Sequence, residues 1–247
     1  MIEAKNLKKA FGPIVAVDGV SFFVNQGDVL GFLGPNGAGK TTTMRMLSGF
    51  LPPDSGTATV AGHDICTDAV AVKREIGYLA ENVPAYDEMT VESFLMFTCG
   101  ARGITGDECQ RAIDRMAETC SITGVMHQPI GTLSKGYRRR VGLAQALVHN
   151  PPVLILDEPT DGLDPNQKYE VRQLIGRLAS DKCIAISTHI LEEVDAVCSR
   201  IIIINEGKIL VDSTPEKLRR DVGGSLDEIF RKLTTQRGKE TVAGGTK

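Results

Sequence analysis

Gly34-Pro35-Asn36-Gly37-Ala38-Gly39-Lys40-Thr41-Thr42 stands between an apolar run and a helical pattern, and the rest of the chain can be placed from it. A glycine, four residues and then Gly-Lys-Thr make the P-loop pattern. With glycine near 7% of ordinary sequence, a chain of this length carries the bare pattern by chance roughly once in a hundred cases. The flanks narrow that further. Gly27-Asp28 reads as a turn, and Val29-Leu30-Gly31-Phe32-Leu33 as a buried strand running straight into the loop. Residues 42–49 read as a helix with Met44 and Leu47 apolar. Glycines let the backbone turn tightly and bring its N–H groups against phosphate oxygens. The helix that follows offers an N-terminus that favours an anion. In this pattern Lys40 reaches the β- and γ-phosphates of a nucleotide and the Thr41 hydroxyl ligates Mg²⁺.

The chain has 247 residues, 42% of them hydrophobic and 24% charged, which suits one large or two small globular units. A net charge of −3 argues against a nucleic-acid partner. No apolar run approaches the roughly 18 residues of a membrane helix, and Met1-Ile2-Glu3-Ala4-Lys5 does not read as a signal peptide. The six cysteines are scattered with no C-x-x-C pair, so they read as reduced, mostly buried small hydrophobes of a cytosolic protein. A membrane role therefore has to come through a partner chain.

Residues 2–7 read as a strand and Gly12-Pro13 as a turn. Asp18-Gly19, between Val15-Ala16-Val17 and residues 20–24, predicts a hairpin. Phe11 suits either a stack on a nucleotide base or plain core. Residues 57–60 and 76–79 read as strands, the second ending at Glu81-Asn82. From residue 84 to about 150 the texture turns helical. Val91, Phe94, Leu95 and Thr98 fall on one face, and Ala112, Ile113, Met116, Ala117 and Cys120 on another. Pro151-Pro152 ends this block. Val153-Leu154-Ile155-Leu156-Asp157-Glu158 then reads as a strand buried on both faces, with two acids where ligands bind in open parallel sheets. In a chain with a P-loop, that pair fits Mg²⁺ coordination plus a base. A helix over 166–179, a strand over 183–187 ending at Thr188-His189, and a hairpin through Asn205-Glu206-Gly207-Lys208 follow. Leu226, Ile229, Phe230 and Leu233 mark a last amphipathic helix before a polar tail.

Together these residues resemble an ATP-binding-cassette (ABC) ATPase, the nucleotide-binding subunit of an ABC transporter, over nearly the whole chain to about residue 234. Residues 34–41 match the Walker A motif, and residues 153–158 match Walker B with its adjacent glutamate. Leu133-Ser134-Lys135-Gly136-Tyr137 looks like the family signature, usually Leu-Ser-Gly-Gly-Gln. Gly162-Leu163-Asp164 looks like the D-loop and His189 like the switch histidine, while Phe11 takes the place of the aromatic A-loop residue. The chain departs from the pattern at Glu81, where the Q-loop glutamine is usual, and at Lys135 and Tyr137 in the signature. These variants, and Ser225-Leu226-Asp227-Glu228-Ile229-Phe230, look like those of single-domain ABC-2-type exporter ATPases.

The resemblance implies an α/β fold: a P-loop NTPase (RecA-like) core with an N-terminal antiparallel β subdomain and an α-helical subdomain. It implies one domain over 1–234, with the helical part at about 82–150 inserted in the core, and a flexible tail over 235–247. It implies ATP and Mg²⁺ as cofactors, a homodimer or close paralogue pair in the ATP-bound state, transmembrane permease subunits as partners, and the cytoplasmic face of the membrane as the location. Glu158, His189 and Lys40 become the catalytic candidates. Phe11, Gly34, Pro35, Asn36, Gly37, Ala38, Gly39, Lys40, Thr41, Thr42 and Glu81 become nucleotide contacts, joined across the dimer by Ser134, Gly136 and Asp164. Thr41, Asp157 and Glu81 become the metal candidates. Lys135, Arg138, Arg139 and Arg140 read as a solvated face. The alternative is a soluble ABC ATPase outside transport, such as an Fe–S assembly factor; a nucleotide-binding regulator without turnover is disfavoured by intact Glu158 and His189.

Overall fold

Four runs of apolar residues set the centre of the molecule. The structure, a computed structural model, describes residues 1–243, with side chains described for 1–221 and 223–234. Strands β1 (Ile2–Phe11) and β2 (Ile14–Val24) open the chain, and β3 (Val29–Leu33) runs into the 34–39 loop and α1 (Lys40–Leu47). Then come β4 (Ser55–Val60), β5 (His63–Asp64), α2 (Ala69–Glu75) and β6 (Ile76–Leu79). Helices α3 (Val91–Ala101) and α4 (Gly106–Thr119) lead through two short 3-10 turns to α5 (Lys135–Leu147). The chain continues with β7 (Val153–Asp157), α6 (Pro165–Leu178), β8 (Cys183–Thr188), α7 (Leu191–Val197) and β9 (Arg200–Asn205). It closes with β10 (Lys208–Ser213), α8 (Pro215–Val222) and α9 (Leu226–Ala243).

Two sheets form. One has the order β2-β1-β4-β5 and is antiparallel; the other has the order β10-β9-β3-β8-β7-β6, parallel except for β10 on β9. The strand that carries the P-loop, β3, lies between β8 and β9, far from both in sequence. Its neighbours alternate cleanly between two cores. Leu154, Leu156, Ile184, Ile186, Ile201 and Ile203 face the helical side, packed with α3 to α7. Val153, Ile155, Cys183, Ala185, Ile202 and Ile204 face α1 and the antiparallel sheet. Burial on both faces is what the unbroken apolar runs require, and each large side chain so buried contributes about 1.5–3 kcal/mol. Among the described residues no helix is long and apolar enough to cross a membrane.

The hairpin expected at Asp18-Gly19 does not exist. β2 runs through it, and the chain turns instead at Gly12-Pro13, closed by Phe11 opposite Ile14. Asp18-Gly19 forms a bulge: the register jumps from Leu7 opposite Val20 to Lys8 opposite Asp18, leaving Gly19 unpaired at φ +73°. The left-handed glycine that signals a turn serves a bulge equally well. Here Asp18 also finds partners outside the hairpin, its N–H donating to the Gly207 carbonyl at 2.9 Å and its carboxylate meeting Lys208 as well as Lys8 across the strand pair. At the other end, α9 continues to Ala243, into the segment expected as a flexible tail; Gln236, Arg237, Lys239 and Glu240 are good helix formers. Residues 244–247 of that tail lie outside the described residues.

Candidate functional site

The P-loop is walled by main chain from two distant strands. A Cβ at Gly39, whose φ is +103°, would lie 2.4 Å from the Ala16 carbonyl of β2, and one at Gly34 would lie 2.4 Å from the Ile204 carbonyl of β9. Only glycine fits at either point. Asn36 and Gly37 form the exposed tip, Pro35 is half-buried and Ala38 buried. The Ala38 carbonyl accepts from the Gly207 N–H at 3.0 Å, which pins the loop to the β9–β10 turn. Gly39 is the N-cap of α1, with Lys40, Thr41 and Thr42 in the first turn. Lys40 is only 6% exposed, and its ammonium donates to the Gly34 and Pro35 carbonyls at 2.7 and 3.1 Å. Burial pushes its pKa below the ordinary lysine value, against the opposing charges of Glu158, Asp157 and Glu81.

Asp157 and Glu158 lie at the end of β7, His189 just past the end of β8. Asp157 is fully buried. Its Oδ1 accepts from Thr41 Oγ1 at 3.2 Å and from the Ser187 hydroxyl, while its Oδ2 has no hydrogen-bond partner among the described residues. A buried, partnerless carboxylate oxygen beside a threonine hydroxyl is a donor set that fits a hard divalent cation. Among the described residues no group of three or more His, Cys, Asp or Glu makes a self-contained metal site. Glu158 Oε2 lies 3.0 Å from His189 Nδ1, and Glu158 Oε1 lies 4.0 Å from Lys40 Nζ. The His189 side chain is 49% exposed while Glu158 is buried, so the pair runs from the mouth of the site inward. Glu158 holds φ +51°, an uncommon conformation for a residue with a Cβ.

Glu81 is exposed at the bend after β6; its charge reaches Lys40, but no hydrogen bond or ion pair of its carboxylate occurs among the described residues. Phe11 ends β1 half-exposed, with Lys9 Nζ 5.9 Å from its ring centroid. Ser134, Gly136 and Asp164 form a second group. Ser134 caps α5 by accepting from the Tyr137 N–H, and Asp164 closes a capping box on α6 with Gln167. Gln167 also backs Gly136, where a Cβ would lie 2.5 Å from its Oε1. Lys135 meets Asp161 at 2.7 Å. Among the described residues no hydrogen bond or ion pair joins Ser134 to Lys40, Asp157, Glu158 or His189.

The solvated face expected for Lys135 and Arg138 to Arg140 holds for half of it. Arg139 and Arg140 are buried at 4% and 9% exposure. Arg140 pairs with Glu170 at 2.6 Å, and Arg139 turns inward onto main-chain carbonyls, where burial lowers its pKa. Charge composition alone does not reveal which residues of a basic helix meet buried acceptors. Ser187, Gln167 and Arg139 are the site residues the sequence reading missed; only Ser187 carries a signal, as the last apolar-run neighbour before Thr188-His189.

A family model described as ABC transporter matches residues 17–161. The linearmycin resistance ATP-binding protein of Bacillus subtilis (strain 168) is 37% identical over 225 residues, covering 91% of this chain and 72% of the relative. The Nod factor export ATP-binding protein I of Paraburkholderia xenovorans (strain LB400) is 37% identical over 235 residues, covering 93% and 76%. Among solved structures, an ATP-binding subunit of an ABC transporter matches with a TM-score of 0.86 at 27% identity, over 94% of this chain and 99% of the other. A dimeric bacterial ABC transporter cassette matches with a TM-score of 0.81 at 21% identity over 87% and 98%, a likeness of fold alone.

Proposed function

The chain belongs to the ABC transporter family of ATP-binding proteins, and from that membership we propose that it is an ATP-hydrolysing subunit, working as a dimer, that powers export through separate transmembrane subunits. The observation that carries this reading is the meeting of Lys40, Thr41, Asp157, Glu158 and His189 at the ends of neighbouring parallel strands, with Glu158 3.0 Å from His189. Export is favoured over import by the resistance and export roles in the relatives' names. No observation favours an Fe–S assembly role.

In this reading the P-loop amides and Lys40 bind the β- and γ-phosphates, and Phe11 stacks on the base. Thr41, Asp157 and Glu81, all hard oxygen donors, are the residues that would hold Mg²⁺. Bound Mg²⁺ supplies charge neutralisation on the phosphate oxygens. Glu158 takes the proton of the attacking water on a carboxylate oxygen, and His189, through its contact with Oε2, fixes where that carboxylate points. Ser134, with the N–H groups at the start of α5, and Gly136 and Asp164 complete the partner's site. The chain then acts from the cytoplasmic face of the membrane, and the single domain over 1–234 is the working unit.

The test is purification from solubilised membranes followed by a Mg²⁺-dependent phosphate-release assay. The reading expects co-purifying membrane subunits and release abolished in Lys40→Ala. Release that survives Lys40→Ala, or a chain that isolates from membranes without any integral partner, overturns it.

A further inference from the structure

Every N–H donor of Arg139 ends on a main-chain carbonyl. Nε donates to Pro159 at 3.4 Å, Nη1 to Ala80 at 2.7 Å and Glu81 at 2.8 Å, and Nη2 to Asp157 and to Glu158. A guanidinium has five N–H donors in a planar fork and no acceptor, so its inventory is filled. A buried arginine ordinarily answers to a carboxylate. Arg139, 4% exposed, makes no ion pair among the described residues and shares its charge among carbonyl dipoles instead.

The carbonyls it collects lie at two places. Ala80 and Glu81 follow the end of β6; Asp157 ends β7, and Glu158 and Pro159 follow it. The second segment holds Glu158 at φ +51°, a left-handed conformation that is strained in a residue with a Cβ. Such a backbone persists only where its surroundings over-determine it. Two further bonds help, Glu158 N–H to the Ser187 carbonyl at 3.0 Å and Asp161 N–H to the Glu158 carbonyl at 3.1 Å. Arg139 is the one side chain among the described residues that bonds the Glu158 carbonyl, and it does so from the second turn of α5, the helix capped by Ser134.

We propose that Arg139 is a positioning residue for hydrolysis: by gathering the carbonyls at Glu158 and Glu81 it holds the Glu158 carboxylate in line with His189 and ties that geometry to α5. This rests on the reading of Glu158 as the base. A glutamine has two N–H donors and a lysine three on a flexible stem, so neither can make all five contacts that tie the two segments together.

The experiment compares steady-state ATP hydrolysis, affinity for a fluorescent ATP analogue and melting temperature in the wild type, Arg139→Gln, Arg139→Lys and Glu158→Gln. A displacement of about 1 Å in a reacting group costs on the order of a hundredfold. Arg139→Gln is expected to lose tenfold to a hundredfold in kcat, with KM and analogue affinity within about threefold of wild type, and Arg139→Lys to fall between. Should Arg139→Gln fail to fold, Arg139→Lys carries the same comparison. A kcat within twofold of wild type overturns the proposal. So does a loss of kcat matched by an equal loss of nucleotide affinity and a collapsed melting temperature, which marks a purely structural clamp. Turnover retained in Glu158→Gln overturns the reading of the base itself, independently of what the Arg139 variants do.

Discussion

Glu158 and His149 show two ways in which burial sets what a residue does. Glu158→Gln keeps the size and most contacts of the side chain while removing the proton acceptor. It is expected to bind ATP with near wild-type affinity and to lose about a hundredfold to ten-thousandfold in turnover; phosphate release near the wild-type rate would refute it. His149 lies after α5 with Nε2 3.1 Å from the Ile76 carbonyl and a buried Nδ1 without a partner among the described residues. Burial pushes its pKa down to about 4, with the Arg102 and Lys182 charges acting the same way. Because the folded pKa is depressed, the unfolded chain takes up a proton first as pH falls. Stability contributed by neutral His149 is therefore intact above about pH 6.5 and is lost progressively toward pH 4. His149→Gln, which can still donate to the Ile76 carbonyl, should flatten that part of a melting-temperature profile; an unchanged slope would remove His149 as its source. Asp157, Glu158 and His189 were legible because each stands at or just past the end of an apolar run, which both announces the strand and aims its end, and Lys40 because the glycine spacing before it is itself a sequence signal. Arg139 was not, because its partners are carbonyls, and a backbone carbonyl has the same identity at every position of a sequence.

At the scale of the element, α5 and β6 meet with almost nothing between them. A Cβ at Gly77 would lie 2.2 Å from the Ala146 carbonyl and 2.7 Å from Leu154 Cδ2, and one at Gly142 would lie 2.6 Å from Val83 Cγ2 and 2.8 Å from Leu79 Cδ1. Gly77→Ala is expected to push the helix off the strand and cost about 1–3 kcal/mol, read as a lower urea midpoint with unchanged m-value. If midpoint and hydrolysis both match wild type, the contact is looser than this packing requires. The parallel strands and the 84–150 helical texture were readable because period and length carried them. The error at Asp18-Gly19 had a physical source: local chemistry specifies a left-handed glycine, while tertiary pairing with Gly207 and Lys208 decides whether it turns the chain or bulges it. Short helices such as α2 and α7 offered too few residues for a period to show.

For the whole molecule, the lack of any hydrogen bond or ion pair from Ser134 to the P-loop group among the described residues makes a shared site testable. Ser134→Arg should block closure over the partner's nucleotide, and Lys40→Ala should damage the site of its own chain. In a mixed dimer both lesions fall on one composite site, leaving the other whole. Each variant alone should be nearly inactive, and mixing them, with the membrane subunits present, should restore phosphate release if sites can fire singly. Absence of recovery despite demonstrated heterodimers would mean that Ser134 acts in cis or that both sites must be intact, and a cross-link from Ser134 to the partner's P-loop separates the two. The walls of that loop carry a consequence for synthesis. The loop leaves the ribosome early, but Gly34 abuts the Ile204 carbonyl, Ala38 is held by the Gly207 N–H, and β3 takes its place between β8 and β9. A nascent chain arrested before residue 200 has the whole P-loop sequence and the Ala16 wall, but lacks β9 beside β3, the Ile204 wall and the Gly207 tie. It should retain no ATP analogue, whereas a chain whose residue 213 has cleared the exit tunnel should, so the newborn protein is blind to nucleotide until its last sheet strand is made.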